Sequence, residues 1–519
     1  MKKHFCLCMT ILLAAAKIGF SQTYSYQLDS SFSGNGVKDF TYFNNIDRLF
    51  GCDLQSNDKL VTAGFSKNTA TSKFELAVTR FLTNGDPDTT FGTANGTVYI
   101  PLGNLVAIGG QTPKVKIAPD GKIVAALSNM GTSTSNDIFV CRLDSTGVLD
   151  PSFNGTGTLS VDMTGSTSLP DMANAIDFDA SGNVWLAGVT RNGGTPLDND
   201  FAVIKVKSNG TLDASFDTDG KKLFNLTGTA EFAKSIKVDN TGKIVVAGTA
   251  GTNQLVIRFD STGVLDPTFN STGYLTFSFG SSSGLSDMGL DPNNNIVVTG
   301  YSGTSTSSLC VGRITSSGIF DPTFGTAGKS TITLGTFSCT PTSMHIQNDS
   351  RIIVGGYLET TAQGTNFFAA RVNDAGALDL TFNGNGFVNS PIIAGNVDES
   401  GNGMAVMSDG RIMMTGTIVY SSAVNEDCGM LRWKPVLQTT GINEMNPANT
   451  FSVSPNPFSH QLQVFSLQEG EATITDINGR TIIRAFIQAG ENILSTPSLA
   501  KGMYLIRING NAGIKLIRE

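Results

Sequence analysis

The chain has 519 residues, of which 15% are charged, 40% are hydrophobic and 58 are glycine, and its formal charge is −8. So few charges beside so much Gly, Ser, Thr and Asn exclude long charged helices and fit short strands joined by turns, in several domains or one large repeat array. The acidic balance argues against nucleic acid as a partner, because a polyanion is bound by clustered Lys and Arg.

The N-terminus, "MKKHFCLCMTILLAAAKIGFSQ", reads as a targeting segment. Lys2 and Lys3 form a basic start, Phe5–Ala16 an apolar stretch, and Gly19-Phe20-Ser21 a small-residue approach to cleavage before Gln22, so residues 1–21 are predicted to be a signal peptide. Twelve apolar residues fall short of the roughly 20 that a membrane-spanning helix needs, and no comparable run follows, so an exported chain without a transmembrane segment is expected. Cys6 and Cys8 leave with the signal, and neither has the small-residue context of a lipid-attachment site. Cys52, Cys141, Cys310, Cys339 and Cys428 remain, scattered and without C-x-x-C spacing. They read as buried small hydrophobes rather than a disulfide framework or a zinc site.

From residue 28 the chain repeats itself. "RLDSTGVLDPSFNGTG" at 142–157 returns as "RFDSTGVLDPTFNSTG" at 258–273. A Leu-Asp-x-Ser/Thr-Phe motif centres on Phe32, Phe91, Phe153, Phe216, Phe269, Phe324 and Phe382, at intervals of 53 to 63 residues. In step with it run a turn followed by an apolar strand ("DGKIVAAL", "TGKIVVAG", "DGRIMMTG") and a strand bearing Arg80, Arg142, Lys205, Arg258, Arg313, Arg371 or Arg432. A period near sixty points to a propeller or array. One unit, 173–223, reads as four short strands: "ANAIDFDA", "NVWLAGVT", "DFAVIKVK" and a last one from Lys221. One such sheet cannot bury both faces, but stacking the units around an axis does. The predicted fold is all-β, a seven-bladed β-propeller over 22–434 followed by a small β-sandwich.

The termini supply a closure argument. The base precedes the motif Asp by eight positions in every complete copy, as in Arg142/Asp150 and Arg258/Asp266, whereas Arg432 has no following Asp and Asp29 no preceding base. Val37–Tyr42 is therefore predicted to supply the outer strand of the last blade, whose other strands lie near 402–433, hiding two open sheet edges. Phe32, Phe153, Phe269 and their equivalents are expected to wedge between blades, worth about 2–3 kcal/mol each when fully buried. Asp29, Asp150 and Asp266, with the Ser or Thr two places on, fit a side-chain-to-backbone turn, and the Gly four after Phe suits positive φ, with Gly96 one place late after Phe91. These are structural readings, since no catalytic site is needed seven times over.

The rival reading of the motif is calcium. "DASFDTDG" brings Asp213, Asp217 and Asp219 together, but the corresponding positions elsewhere are Asn154/Thr156, Asn270/Thr272 and Gly325/Ala327. Metal binding is thus confined to a weak candidate at Asp217 and Asp219. His4 leaves with the signal, His345 sits in a strand and faces a turn, and His460 lies near the C-terminus, too scattered for a metal centre or a serine–histidine triad. Trp185 and Trp433, in or beside strands, read as packing residues rather than as a sugar platform. No catalytic residue and no cofactor is assigned. The longer connections, 163–172, 190–200, 276–285, 357–366, 389–400 and 417–427, share one face, where Asp171, Asp198, Asp200, Glu359, Asp398, Glu399, Glu426 and Asp427 are the acids available to a glycosidase or lyase.

Residues 435–450 read as a linker, and short alternating strands fill 451–519. "SVSPNPFS" (452–459), "DINGR" (476–480), "LAKGMYLIRI" (499–508) and a final "KLIRE" resemble the type IX secretion C-terminal sorting domain of Bacteroidetes, with Pro455, Asn456, Pro457, Gly479, Gly502, Tyr504 and Lys515 as the motif residues. The "LDxSF…G" units resemble the delta-60 repeat family over most of 28–433, with Pro87 and Phe320 in place of Leu and Lys205 in place of Arg. The first resemblance implies export to the periplasm and passage of the outer membrane on the type IX machinery, with release or attachment at the surface. The second implies no activity. The preferred reading is a secreted or cell-surface propeller for binding, adhesion or scaffolding, with a glycan or matrix protein as ligand. The alternative is a secreted polysaccharide-active enzyme using carboxylates on the variable-loop face.

Overall fold

The computed structural model describes residues 24–437 and 451–518, apart from 43–45, 94, 103–111, 131–135, 166–169, 192–198, 227–228, 305, 361–363, 394–396, 421–425, 478, 497–498 and 510–513. The predicted signal peptide, most of the predicted linker and Asp198 lie outside the described residues. Among the described residues every element is a strand. The chain divides into two compact units, one through Leu437 and one from Gln438.

The first unit is built from one meander used again and again. Asp171–Phe178, Val184–Arg191, Asn199–Val206 and Lys221–Phe224 pair antiparallel in chain order. The two central strands, "VWLAGVTR" and "NDFAVIKV", are aliphatic runs buried on both faces, as a sheet sandwiched between neighbours requires. The outer strand is only four residues long and half exposed, which keeps that sheet edge short. The same order recurs from Asp47–Leu54, Glu231–Val238 and Ser283–Leu290, and it is β-propeller architecture. The first strand of each sheet touches the first strand of the next, from Asp47–Leu54 through Lys114–Ile117 onwards, and Val397–Val406 touches Asp47–Leu54. Apolar clusters fill the spaces between sheets, and Phe32, Phe91, Phe153, Phe216, Phe269, Phe324 and Phe382 are all buried there.

The sheet holding Val397–Val406, Ile412–Val419 and Glu426–Leu437 takes its outer partner from the other end of the chain. Val37–Phe40 pairs antiparallel with Glu426–Leu437, from Val37↔Leu431 to Phe40↔Cys428. The strand stops at Phe40 rather than Tyr42, because Thr41 Oγ1 and Tyr42 N donate to the Asp47 carboxylate at 2.5 and 2.8 Å. A further strand, Tyr24–Leu28, continues the same edge from Tyr24↔Leu437 to Leu28↔Trp433, which sequence analysis did not anticipate. Tyr24 also exchanges backbone hydrogen bonds with Thr381 and Asn383, at 2.9 and 2.6 Å, and the Tyr26 ring lies 4.2 Å from that of Phe382.

The first strands share a second feature. Their pairing skips one residue at Phe50, Asn174, Lys234, Ser286, Thr342 and Asn402. Each skip is a β-bulge, which re-aims the extra side chain out of the ladder.

In the second unit, Phe451–Ser454, Gln461–Ser466 and Gly490–Ser495 form one sheet. Thr481–Ile487, Gly470–Asp476, Gly502–Ile508 and Ile514–Arg518 form another. Leu462, Val464 and Leu494 of the first share a buried cluster with Ile474, Ile506 and Leu516 of the second.

Candidate functional site

Three sets of recurring residues were open to a functional reading: the motif at the rim, the acids of the longer connections, and the side chains of the innermost strands.

At the rim the motif is a fastener. Arg142 donates from Nε to Asp150 at 2.9 Å, from Nη2 to Ser152 Oγ at 2.9 Å, and from Nη1 to the Ser208 carbonyl of the next sheet. Its guanidinium lies 4.8 Å from the Phe153 ring centroid, a stacked cation–π contact. Asp150 also accepts from Ser152 N and Oγ, at 3.0 and 2.7 Å. Burial pushes the Asp150 carboxyl up, but hydrogen bonds from Lys122 and Ser152 and the charge of Arg142 outweigh it and hold it well below the usual range. Arg258, Asp266 and Phe269 repeat the arrangement, with Arg258 to Asp266 at 2.8 Å and 4.9 Å to the ring. Arg432 makes it with Asp29 at 2.8 Å and Ser31 at 2.8 Å, 5.0 Å from the Phe32 ring. The turn glycine of the neighbouring sheet presses on this stack. At Gly210, φ is +85° and a Cβ would stand 2.7 Å from Phe153.

The unit with Lys205 departs for a visible reason. Lys205 pairs across strands with Trp185, where the other units place Val61, Val124, Val245, Val297, Ile353 or Met413 opposite their Arg. The indole meets the Phe216 ring edge-on at 4.9 Å and so occupies the place of a guanidinium. Lys205 keeps the ion pair, 2.9 Å to Asp213, and lies over the indole, 5.2 Å from the Trp185 ring centroid.

Asp217 and Asp219 are turned to lysines. Lys222 Nζ donates to Asp217 at 2.9 Å, and Lys221 N to Asp219 at 3.0 Å. Among the described residues no three His, Cys, Asp or Glu side chains gather closely enough to hold a metal ion. The five cysteines have no disulfide partner; four are buried, and Cys52 is half-buried beside the central channel.

The acids of the longer connections do not form one group. Asp171 and Glu399 are buried at the start of first strands, where they accept the backbone N–H groups of the arriving connector. Met163 N reaches Asp171 at 2.8 Å, and Ile392 N and Ile393 N each reach Glu399 at 2.8 Å. Asp47 and Glu231 do the same for Tyr42 and Leu226. Burial pushes Asp171 up to about 6 and Glu399 up to about 7. Asp200 accepts from Asn225 at 2.5 Å, and Glu426 pairs with Arg48 at 2.9 Å. Burial and the neighbouring Asp47 charge raise the Asp427 carboxyl, while Glu359 and Asp398 are exposed.

The first strands line a central channel with a cavity of about 330 Å³, to which each of them contributes. A cavity of about 590 Å³ at their connector-side ends is lined by the bulge residues together with Lys114, Phe232 and Tyr301. Three bulge side chains link neighbouring sheets. Asn174 donates to the Ala233 carbonyl at 2.9 Å, Thr342 to Gly401 at 2.6 Å, and Asn402 to Leu49 at 2.8 Å. Three aspartates do likewise. Asp53 accepts from Ile117 N at 2.8 Å, Asp177 from Val238 N at 2.8 Å, and Asp287 from Met344 N at 2.9 Å. Lys114, Lys116, Lys234, Lys237 and His345 share this space, with Lys116 paired to Asp177. His345 therefore lines the channel rather than facing a turn. Sequence analysis did not single out these lysines.

In the second unit Asn456 clasps the last strand. Its amide donates to the Lys515 carbonyl at 2.6 Å and accepts from Ile517 N at 2.9 Å. Gly479 completes the Asp476–Arg480 turn at φ +79°, and Tyr504 Oη donates to the Ala500 carbonyl at 2.8 Å. Pro455 and Pro457 follow cis peptide bonds in the same segment, and Gly502 opens the strand that carries Tyr504.

Residues 452–518 match the Secretion system C-terminal sorting domain family. Residues 55–91, 118–153, 240–269 and 347–382 match the Domain of unknown function (DUF5122) beta-propeller family. No curated protein matches the chain. Among solved structures, virginiamycin B lyase from Staphylococcus aureus is similar with a TM-score of 0.44 at 12% identity, over 77% of this chain and 99% of that one. The β-propeller domain of the Trilobed protease from Pyrococcus furiosus is similar with a TM-score of 0.39 at 11% identity, over 77% and 96%. A protein of unknown function from Dyadobacter fermentans gives 0.38 at 11%, over 77% and 99%. The chain thus carries DUF5122 β-propeller repeats of the delta-60 kind and ends in a type IX secretion sorting domain, which makes it a secreted or outer-surface protein.

Proposed function

We propose that the first unit is a closed, seven-bladed propeller serving as an exported binding or scaffolding module, and that the second is a small sandwich that presents it to the type IX secretion machinery. The ring is supported by the series of first-strand contacts returning from Val397–Val406 to Asp47–Leu54, and by the pairing of Val37–Phe40 with Glu426–Leu437. The sandwich is supported by the single core that two sheets of the second unit share. Domain limits of 22–434, a linker at 435–450 and a sorting domain at 451–519 belong to the same reading, although the last propeller strand runs on to Leu437.

The observation that carries the binding role is the employment of the acids. Asp171 and Glu399 hold connectors, Glu426 holds Arg48 and Asp200 holds Asn225, so these four carboxylates serve the scaffold, which among the described residues leaves Glu359 and Asp398 as the exposed acids of that face. General acid–base hydrolysis needs two carboxyls free to face one bond. The test is a glycan and matrix-protein array probed with the chain from Gln22 onwards, run beside reducing-sugar release assays. Saturable binding without turnover is the expected result. Turnover abolished by amide substitution of Glu359 or Asp398 would overturn it.

A further inference from the structure

Around the channel several side chains hold neighbouring sheets together, and three lysines among the lining residues do not. Where Asn174, Thr342 and Asn402 bond across to the next first strand, Lys234 has no hydrogen bond or ion pair among the described residues. Where Gly51, Ala175, Ser235, Ser343 and Gly403 keep the next position small, Lys114 brings in an ammonium group that is likewise unpaired. Lys237 has no hydrogen bond or ion pair from its ammonium group among the described residues, while Lys116 pairs with Asp177. The aspartates facing this space are already used by backbone N–H groups of neighbouring sheets.

Lys234 is exposed at the mouth, whereas Lys114 and Lys237 are half-buried, where an ammonium group loses part of its hydration. Burial holds Lys114, Lys234 and Lys237 below the usual lysine range; at Lys114 the charge of Asp287 acts against this and the charge of Lys234 adds to it. Ser343 Oγ, buried in the same cavity, has no hydrogen-bond partner among the described residues.

We propose that the connector-side mouth of the channel binds an acidic saccharide, with its carboxylate or sulfate group held between Lys114 and Lys234. This rests on the binding role proposed above and names its ligand class. Each ammonium offers three donors to an oxyanion. Asn174 and Asn402 spend their amide N–H on carbonyls, which leaves their Oδ1 atoms to accept from sugar hydroxyls, and Phe50 and Tyr301 supply apolar surface at the same mouth. A neutral sugar would leave both ammonium groups unanswered. A bare inorganic anion would fill a small part of the 590 Å³ cavity.

The experiment is calorimetric titration of the chain from Gln22 onwards with four probes: an oligogalacturonate, a sulfated oligosaccharide, a neutral maltooligosaccharide and sodium sulfate. At least one acidic oligosaccharide is expected to bind about tenfold more tightly than the neutral sugar or sulfate, and to weaken several-fold on going from about 0.05 M to about 0.3 M salt. Lys114→Gln with Lys234→Gln is expected to cost tenfold or more, and Lys234→Arg to retain binding. Sulfate binding as tightly as the oligosaccharides, or oligosaccharide binding indifferent to salt and to the double substitution, would overturn the proposal. Binding of neutral glycans or matrix proteins with none of the acidic ones would overturn it while leaving the binding role standing. A chain that binds nothing in the array would sink both.

Discussion

The rim and the channel of the first unit are built on the same repeat, yet they treat repetition in opposite ways. At the rim the same chemistry returns in every unit but the one with Lys205: an Arg stacked on Phe and paired to the motif Asp, with a Ser or Thr closing the turn. In the channel one position per unit reads Asp53, Lys116, Asp177, Lys237, Gly289, His345 and Ala405, and hardly any neighbours agree. A residue that recurs with its contacts is explained by the architecture that recurs with it. One that varies while its backbone stays fixed is free to serve a ligand. The lesson is to look for function in this protein where the repeat breaks its own pattern.

The sharpest way to break that comparison is at the rim. Arg432 is 1% exposed and bonded to Asp29, Ser31 and Thr83, so Arg432→Ala strips the buried Asp29 carboxylate of its closest cation and leaves it Ser31 and a longer contact to Lys434. It is expected to cost about 3–5 kcal/mol in urea unfolding, and deletion of residues 28–43 to cost more still. A loss below about 1 kcal/mol would mean that the rim contacts are incidental.

The connector acids come next. Glu399, raised from 4.5 to about 7 by burial, binds its proton more tightly folded than unfolded. Its contribution is complete below the unfolded value and is lost as the pH climbs through about 7. Stability should therefore fall across that window by an amount on the order of 1–3 kcal/mol, and Glu399→Gln should flatten the fall. A thermal scan series that shows the same slope in both proteins would remove the acid from the account.

The smallest effect sharpens the one rim unit that differs. Lys205→Arg is expected to lower stability by about 1 kcal/mol, because Trp185 already covers Phe216. Trp185→Val with Lys205→Arg should recover part of what the single changes lose, a coupling of about 1 kcal/mol or more in a double-mutant cycle. Additive losses would refute the exchange of indole for guanidinium.

Much of this molecule is legible in its sequence. The period, the strand count per unit and the eight-residue Arg-to-Asp spacing lie within single local stretches, and so they show in the sequence. The Val37–Phe40 strand was found only because the Asp29 half-motif lacked its base. Tyr24–Leu28 escaped notice because it is a fifth strand on its sheet edge, with no copy elsewhere to align to. The acids were seen but misplaced: a carboxylate next to a variable loop looks solvated, and only the fold turns Asp171 and Glu399 inward to the connector N–H groups. The channel lysines were missed for a different reason. Lys114 and Lys234 stand 120 positions apart, one to a unit, and a bulge shifts the alternation that would have marked them as inward-facing.

The pairing of the chain's first strands with Glu426–Leu437 also fixes an order of events. Asp29 and Arg432 are 403 positions apart, so their sheet cannot exist until almost the whole first unit has been delivered to one compartment. Until then, Tyr24–Leu28 and Val37–Phe40 lack the strand they pair with, and Ile412–Val419 keeps a bare edge. A polypeptide that must leave its compartment of synthesis gains from such a late clasp, since the clasp can fasten only after the tail of the unit has caught up with its head.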